Sequence, residues 1–115
     1  MNDLDYIKEK LSQFAQARDW DQFHSPKNLS MALAGEAGEL LELFQWLTEE
    51  QSKNLTEEQR KAVEEEISDV FLYLLRLADR LSIDLLEAAK NKMIINELKY
   101  PADKVKGSSK KYTEY

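Results

Sequence analysis

Glycine and proline, the residues that most often interrupt helices, are scarce in this chain. Three glycines and two prolines occur in 115 residues, so long segments are free to be helical. Apolar residues recur at three- and four-residue steps, as at Leu4, Ile7, Leu11 and Phe14, which is the spacing of one helix face. The pattern predicts an all-α fold, and four helices with short connections indicate a four-helix bundle.

Capping signals give the expected limits of these four helices. Ser25 and Pro26 supply a capping hydroxyl and a proline at the first helical position. Thr56–Gln59 is a capping box, Ser82 is a candidate cap, and Pro101 stops the last helix. The predicted helices therefore run from about residue 4 to 19, 26 to 47, 57 to 81 and 83 to 99. We expect residues 1–101 to form one helical domain, and residues 102–115 to be a polar tail of that domain or a lid over an active site.

Charge and composition exclude several classes of function. The chain has 22 acidic and 16 basic residues, a net charge of −6, whereas proteins that bind nucleic-acid polymers carry basic surfaces. Bound cations still allow an acidic site to take a phosphate substrate. The absence of cysteine excludes disulfides and thiolate chemistry. A polar start, and no apolar run of about 20 residues, predict a soluble cytoplasmic protein that does not cross a membrane.

Two of the predicted helices carry an acidic pair on the side expected to face the core. With about 100° per residue, Glu36 lies at the centre of an apolar stripe on the second helix, and Glu39 lies about 60° to one side. Glu66 and Asp69 repeat this arrangement on the third helix. The apolar residues within about 40° of the two central acids are Leu29, Leu40, Leu43 and Leu47 on the second helix and Val70, Tyr73 and Leu77 on the third.

Packing these two helices face to face would bring four carboxylates together. Buried unpaired carboxylates are costly and repel one another, so a positive partner is required. Hard divalent cations suit oxygen ligands, with Mg²⁺ first. Two other interpretations stay open: the pairs are solvated surface charges, or they form buried salt bridges with Arg76, Arg80 or Lys92.

The segments around these acids are residues 35–46, GEAGELLELFQW, and residues 65–73, EEISDVFLY. They resemble the first and the second metal motif of a known enzyme family, the MazG-type nucleotide pyrophosphohydrolases. Residues 96–101 resemble the segment that follows the fourth helix. The tail at 108–114, residues 18–20 and residues 23–24 resemble the dCTP pyrophosphatase branch. The likeness spans nearly the whole chain.

The resemblance implies a reaction and a set of ligands. The reaction would be the Mg²⁺-dependent hydrolysis of a nucleoside triphosphate, dCTP or a related or modified pyrimidine deoxynucleotide, to the monophosphate and pyrophosphate. Mn²⁺ is a possible substitute. Glu36, Glu39, Glu66 and Asp69 would hold the metal, and Trp20, Trp46 and Tyr73 would shape the base and sugar pocket.

Further roles are expected from helix geometry and chemistry. Glu39 and Asp69 are predicted to be essential for catalysis, with Glu39 as the candidate general base. Lys92, Asn96 and Lys99 fall within about 60° of one another on the fourth helix and are candidate phosphate contacts, although a solvated face fits them as well. Trp46 suits either base stacking or a subunit interface. His24 is expected to be a loop or capping residue, and Lys110 and Lys111 are candidates to close over the substrate.

The third helix is apolar on several sides, since Phe71, Leu72 and Leu75 lie away from the Glu66 face. Such a helix needs more cover than one four-helix layer provides, which predicts a homo-oligomer. The resemblance points to a tetramer built as a dimer of dimers. Alternative functions are an all-α dUTPase, a phosphoribosyl-ATP pyrophosphatase or, without catalysis, a helical interaction module. A di-iron bundle is disfavoured because no Glu-x-x-His motif is present.

Overall fold

The computed structural model describes residues 2–107, which form helices and connecting turns without a β-strand in that range. The predicted all-α class is confirmed. Lys110, Lys111 and the rest of segment 108–115 lie outside the described residues. The helices are α1 (Asp3–Ala17), α2 (Pro26–Glu42), α3 (Glu49–Lys53), α4 (Glu57–Arg80), α5 (Leu85–Lys99) and α6 (Ala102–Val105), with a 3₁₀ turn at Asp21–Phe23.

Side-chain caps begin the principal helices where the sequence signals them. The Ser25 hydroxyl accepts a hydrogen bond from the Asn28 backbone N–H at 3.1 Å at the start of α2. At the start of α4, Thr56 and Gln59 form the predicted reciprocal capping box, with distances of 2.9 and 3.1 Å. Each cap satisfies backbone donors that a helix start leaves free, so these boundaries are set locally.

The described chain divides into two compact units, and the boundary between them in the sequence falls between Ser82 and Ile83. In the first unit α2 packs against α4, and α1 packs on α4 over a smaller region. Their apolar side chains form a small core of fully or nearly fully buried residues: Ala15, Leu29, Val63, Leu75 and Ala78. Helix α4 therefore supplies the surface on which both α1 and α2 are positioned. A single helical domain over residues 1–101 stays a prediction.

Helix α2 is shorter than predicted, since it ends at Glu42 and not near Leu47. Beyond Glu42 the backbone forms hydrogen bonds between residues three positions apart. The Phe44 N–H donates to the Leu41 carbonyl and the Leu47 N–H donates to the Phe44 carbonyl, both at 2.9 Å. Thr48 then caps the unpredicted helix α3 with a capping box of its own. No glycine or proline marks this end, which is why residues 43–47 were wrongly predicted to be helical.

The second unit contains α5 and α6. Asp84, and not Ser82, caps α5 by accepting a hydrogen bond from the Glu87 N–H at 3.1 Å. Ser82 instead adopts a left-handed conformation, φ 55°, in the connection. The predicted end of this helix at Lys99 is confirmed, and the short helix α6 lies in the segment predicted as a polar tail. Within residues 2–107, no helix combines the length and apolar character that a bilayer span requires.

Candidate active site

Three of the four predicted metal ligands converge between α2 and α4. Glu36 and Glu39 lie one helical turn apart on α2, which places them on one face, and Glu66 lies on α4. One carboxylate oxygen from each residue lies within 4.8 Å of the others. The packing of α2 on α4 thus brings three of the four predicted acids together.

Two oxygens of this cluster are buried without a hydrogen-bond partner. They are Oε2 of Glu36 and Oε2 of Glu66. Leaving a buried polar atom unsatisfied costs on the order of 1–3 kcal/mol, and more when the group is charged. Among the described residues no basic side chain forms an ion pair with either glutamate. The cluster therefore has acceptor capacity that the protein itself does not use.

The neighbouring acids change the pKa of Glu36. The carboxyl groups of Glu39 and then Glu66 favour the protonated form of Glu36 as hydrogen-bond partners. Together with burial and the charges of Glu39 and Asp69, they raise the pKa of Glu36 to about 7. A hydrogen bond between carboxyl groups requires a proton on one of them. Without a cation, the acids therefore hold a proton near neutral pH to reduce their repulsion.

The salt-bridge interpretation placed Arg76 or Arg80 next to these acids, and the structure places both elsewhere. Arg76 is only 5% exposed, and its guanidinium donates to Asp21 Oδ1 at 2.6 Å and to His24 Nδ1 at 3.2 Å. Arg80 donates to the His24 carbonyl oxygen at 3.1 Å. Both arginines anchor the loop after α1, and neither neutralises the acidic cluster.

The donor set fits a hard divalent cation. Three carboxylates with two unpartnered oxygens match the oxygen ligands that Mg²⁺ and Mn²⁺ prefer. Asp69 lies one turn beyond Glu66 on α4 and is outside the 4.8 Å group. Its charge is nevertheless close enough to raise the pKa of Glu36. The four-ligand set therefore stays a prediction, with three members in contact range and the fourth beside them.

A cavity of about 460 Å³ adjoins Asp69 in the first unit. That volume falls in the range of small-molecule sites, roughly 300–1,000 Å³. Asp69 therefore belongs both to the cavity wall and to the electrostatic environment of the acids. The cavity is lined by Tyr6, Ile7, Lys10, Leu11 and Phe14 from α1, by Trp20 and His24 from the following loop, and by Asp69, Leu72, Tyr73 and Arg76 from α4.

Two of the three predicted aromatic residues, Trp20 and Tyr73, line this cavity. Asp19 adopts a left-handed conformation, φ 55°, and the Trp20 N–H returns to the Ala15 carbonyl at 2.9 Å. This reversal brings the indole edge-to-face onto Phe14, with 5.6 Å between ring centroids. Edge-to-face contacts hold aromatic rings in a defined orientation. Trp20 is therefore a fixed part of the wall.

The remaining predicted contacts are not among the described residues that line this cavity. Trp46 follows the end of α2, so its predicted position on the helix face was wrong, and it is 86% exposed. Lys92, Asn96 and Lys99 all lie on α5, as predicted, in the second unit. Their roles as substrate contacts, and that of Trp46, stay predictions.

Sequence reasoning missed the cavity residues of α1 and the network of Arg76 and His24. The α1 residues form an ordinary amphipathic stripe, whose pattern carries no sign of a cavity. Arg76 gave a weak signal, because it shares a helix face with Leu72 and Tyr73, one turn earlier on α4. A buried arginine requires partners, but the pattern does not say that Asp21 and His24 provide them.

Comparisons with known proteins agree with this geometry. The model of the MazG-like family matches residues 32–115. The dCTP pyrophosphatase 1 of Homo sapiens is 48% identical over 113 residues, covering 96% of this chain and 66% of that protein. The Mus musculus protein of the same name is 46% identical with the same coverage. This chain thus spans just under two thirds of the length of those two relatives.

A solved structure of a pyrophosphatase from Archaeoglobus fulgidus has the same fold. It superposes with a TM-score of 0.83 at 40% identity and covers 88% of this chain and 94% of that one. The fold likeness and the family match confirm both the predicted resemblance and the predicted fold class. The chain belongs to the MazG-like family.

Proposed function

We propose that this chain is a nucleoside triphosphate pyrophosphohydrolase that uses Mg²⁺, with Mn²⁺ as a possible substitute. The products would be a nucleoside monophosphate and pyrophosphate. The relatives from human and mouse are named dCTP pyrophosphatase 1, and the similar structure is that of a pyrophosphatase. These names support the reaction class, and they favour dCTP or a related or modified pyrimidine deoxynucleotide as the substrate.

The observation that carries the proposal is that Asp69 links an acidic cluster to a largely apolar cavity. Carboxylates and divalent cations suit phosphate groups, whereas an apolar wall containing Trp20 and Tyr73 suits a nucleobase and a sugar. A nucleoside triphosphate carries both kinds of group in one molecule. With the triphosphate at the acids, the base would extend past Asp69 into the cavity.

Each acid has a role that follows from its surroundings. Glu36 and Glu66, whose buried oxygens have no other partner, would hold the cation together with Glu39 and Asp69. Bound Mg²⁺ supplies positive charge that offsets the charge of the phosphates and lowers the pKa of a water molecule. Glu39 is exposed and accessible to solvent, so its carboxylate would be the group that accepts the proton of the attacking water as the bond between the α- and β-phosphates is hydrolysed.

Lys92, Asn96 and Lys99 are the proposed contacts to the outer phosphates. Ammonium and amide groups donate hydrogen bonds to phosphate oxygens, and these three residues were predicted to share one face of the helix. Replacement of Lys92 by alanine should raise the KM for the triphosphate if this role is right. Location in the cytoplasm stays a prediction of the sequence.

A nucleotide panel tests the function. Wild-type protein is incubated with dCTP, dUTP, other triphosphates and phosphoribosyl-ATP, with Mg²⁺ or with EDTA, and pyrophosphate is measured. We expect release from dCTP or a related pyrimidine deoxynucleotide only when Mg²⁺ is present. Preference for dUTP or phosphoribosyl-ATP would favour the related enzymes, and no release from any nucleotide would favour a helical interaction module.

Substitution of the acids tests the mechanism. Glu39→Gln and Asp69→Asn should each lower kcat/KM by about a hundredfold or more, because they remove a charged group that the reaction uses. Glu65→Gln is the matched control, since Glu65 is exposed and adjoins Glu66. Circular dichroism should show that all three variants keep their helices. Normal turnover in the first two variants would contradict the proposed mechanism.

We also propose that the protein assembles as a homotetramer, a dimer of dimers. The buried core of the described chain contains only five apolar residues, which is little for a domain of this size. Large apolar side chains remain exposed in both units, among them Met31, Leu41 and Trp46 in the first and Met93, Ile94 and Leu98 in the second. A second copy would cover such surfaces. Light scattering that gives the mass of one chain would contradict the proposal.

A further inference from the structure

The imidazole of His24 forms part of the cavity wall next to Trp20. Both residues line the cavity, and their ring centroids lie 6.4 Å apart. His24 is the single histidine of the chain, so any property of histidine that is measured in this protein belongs to this position. The acidic cluster does not include it.

One nitrogen of this imidazole is already engaged. The Arg76 Nε–H donates a hydrogen bond to His24 Nδ1 at 3.2 Å. A guanidinium group has donors and no acceptor, so Nδ1 must offer a lone pair and carry no proton. Arg76 is held in place by Asp21 at 2.6 Å, which orients the Nε–H. A neutral imidazole in this arrangement has its proton on Nε2.

The surroundings keep the imidazole neutral. Burial first, and then the positive charge of Arg76, lower the pKa of His24 below its ordinary value. Among the other neighbouring charges, Asp21 acts in the opposite direction and Arg80 in the same direction as Arg76. Protonation of Nδ1 would also place two donors face to face. The neutral form with hydrogen on Nε2 is therefore favoured at neutral pH.

The second nitrogen remains available to a ligand. Within residues 2–107, Nε2 of His24 has no hydrogen-bond partner, and it is not among the buried polar atoms that lack one. It is consequently accessible to solvent on a residue that lines the cavity. An accessible N–H in a largely apolar wall selects for a ligand that brings an acceptor to that place.

We propose that His24 is a specificity-determining residue, whose neutral imidazole donates its Nε2–H to a carbonyl oxygen or an unprotonated ring nitrogen of the nucleobase in the cavity. Arg76 is the positioning residue that sets the tautomer. The inference rests on the proposed function, which places a base in this cavity. It adds that the base is selected through an acceptor on its edge, in addition to the aromatic contacts of Trp20 and Tyr73.

Nitrogen-15 NMR of the single histidine tests the tautomer without any assay of activity. At neutral pH, we expect a pyrrole-type signal from Nε2 and a pyridine-type signal from Nδ1. Arg76→Met should shift this pattern toward a mixture of tautomers. Arg80→Gln is the matched control, because Arg80 contacts only the backbone carbonyl of His24, and it should leave the tautomer unchanged. A protonated ring or an Nδ1–H tautomer in the wild type would overturn the proposal.

The same spectrum tests contact with the base. Addition of a dCTP analogue with a methylene group between the α- and β-phosphates should move the Nε2 and Nε2–H signals of the wild-type protein. Unchanged signals at saturating analogue would overturn the proposal. This measurement needs no substitution, so it stands even if a His24 variant does not fold.

Two replacements of His24 distinguish the roles of its two ring nitrogens in a kinetic assay. The amide of glutamine reaches the Nε2 position and keeps a donor there, whereas asparagine keeps only a polar group near Nδ1. We expect His24→Asn to raise the KM for the preferred nucleotide about three- to tenfold with little change in kcat, which is the effect of one hydrogen bond to substrate. His24→Gln should stay near the wild-type KM, and equal KM values in the asparagine variant and the wild type would overturn the proposal.

These results distinguish the two levels of inference. If the wild type releases no pyrophosphate from any nucleotide, the proposed function fails. If the wild type is active but His24 has the other tautomer, or His24→Asn binds substrate normally, only the role of His24 fails.

Discussion

Helix α4 carries two buried charged sites ten residues apart in sequence, and they are built in opposite ways. Arg76 is almost fully buried, and Asp21, Asp79 and His24 surround its guanidinium with negative charge or acceptors. Glu66 has a buried oxygen without a partner and faces two more acids from α2. The first site has its partners within the chain, whereas the second leaves carboxylate oxygens that a cation could bind. A buried charge whose partners all lie within the chain is typical of a structural role, whereas a buried charge without partners is typical of a site that binds a ligand.

The comparison predicts that removal of a charge has opposite effects at the two sites. The largest effect is expected at the Arg76 site. Asp21→Ala should lower the free energy of unfolding by about 2–3 kcal/mol, because it leaves the buried guanidinium with the neutral acceptor His24 and only the longer ionic contact to Asp79. Urea unfolding measures this, with Glu65→Ala as an exposed control that should change stability by less than about 0.5 kcal/mol. Equal effects in the two variants would show that the Arg76 network does not stabilise the fold.

At the acidic cluster, removal of a charge should stabilise the metal-free protein. Glu66→Gln relieves the repulsion from Glu36 and Glu39 and should raise the free energy of unfolding in EDTA by about 1 kcal/mol. Added Mg²⁺ should stabilise the wild type more than the variant, because ligands that bind only the folded state stabilise it by mass action. Thermal unfolding with and without Mg²⁺ gives both quantities. Loss of stability in EDTA would contradict the view that these acids repel one another.

The smallest expected effect is a dependence of metal-free stability on pH. The pKa of Glu36 is raised to about 7 in the folded protein, above that of an unfolded glutamate, so between about pH 4.5 and 7 the folded state binds more protons. The contribution of Glu36 to stability should therefore fall as the pH rises through this range, and Glu36→Gln should remove that change. Melting curves in EDTA from pH 5 to 8 provide the test.

Mg²⁺ should reverse this dependence of stability on pH. Protons and the cation compete for the same carboxylates, so Mg²⁺ binds more tightly above pH 7 than below it. Titration calorimetry at pH 6 and pH 8 should show the difference in the wild type. Equal affinities at pH 6 and pH 8 would mean that Mg²⁺ binding displaces no proton from a carboxyl group.

Much of the acidic site followed from helix geometry. Glu36 and Glu66 lie at the centre of apolar stripes, and a helix of known pitch fixes which residues share a face. The caps at Ser25 and Thr56 were equally local, so α2 and α4 begin where predicted. The end of α2 was not predictable in this way, because the turn at 43–47 contains neither glycine nor proline. Its position became clear only with the hydrogen bonds of that turn and the cap at Thr48.

The sequence by itself determined that the chain is helical, that acids occupy the inner faces of two helices, and that it resembles one enzyme family. These properties depend on spacing and residue type along a single segment. Tertiary structure decided that Arg76 belongs to Asp21 and His24, that α1 supplies the wall of the cavity, and that Asp69 joins the cavity to the acids. Those contacts connect residues as many as 55 positions apart. Their distance in space depends on how the helices pack, and the periodicity within one helix carries no information about that packing.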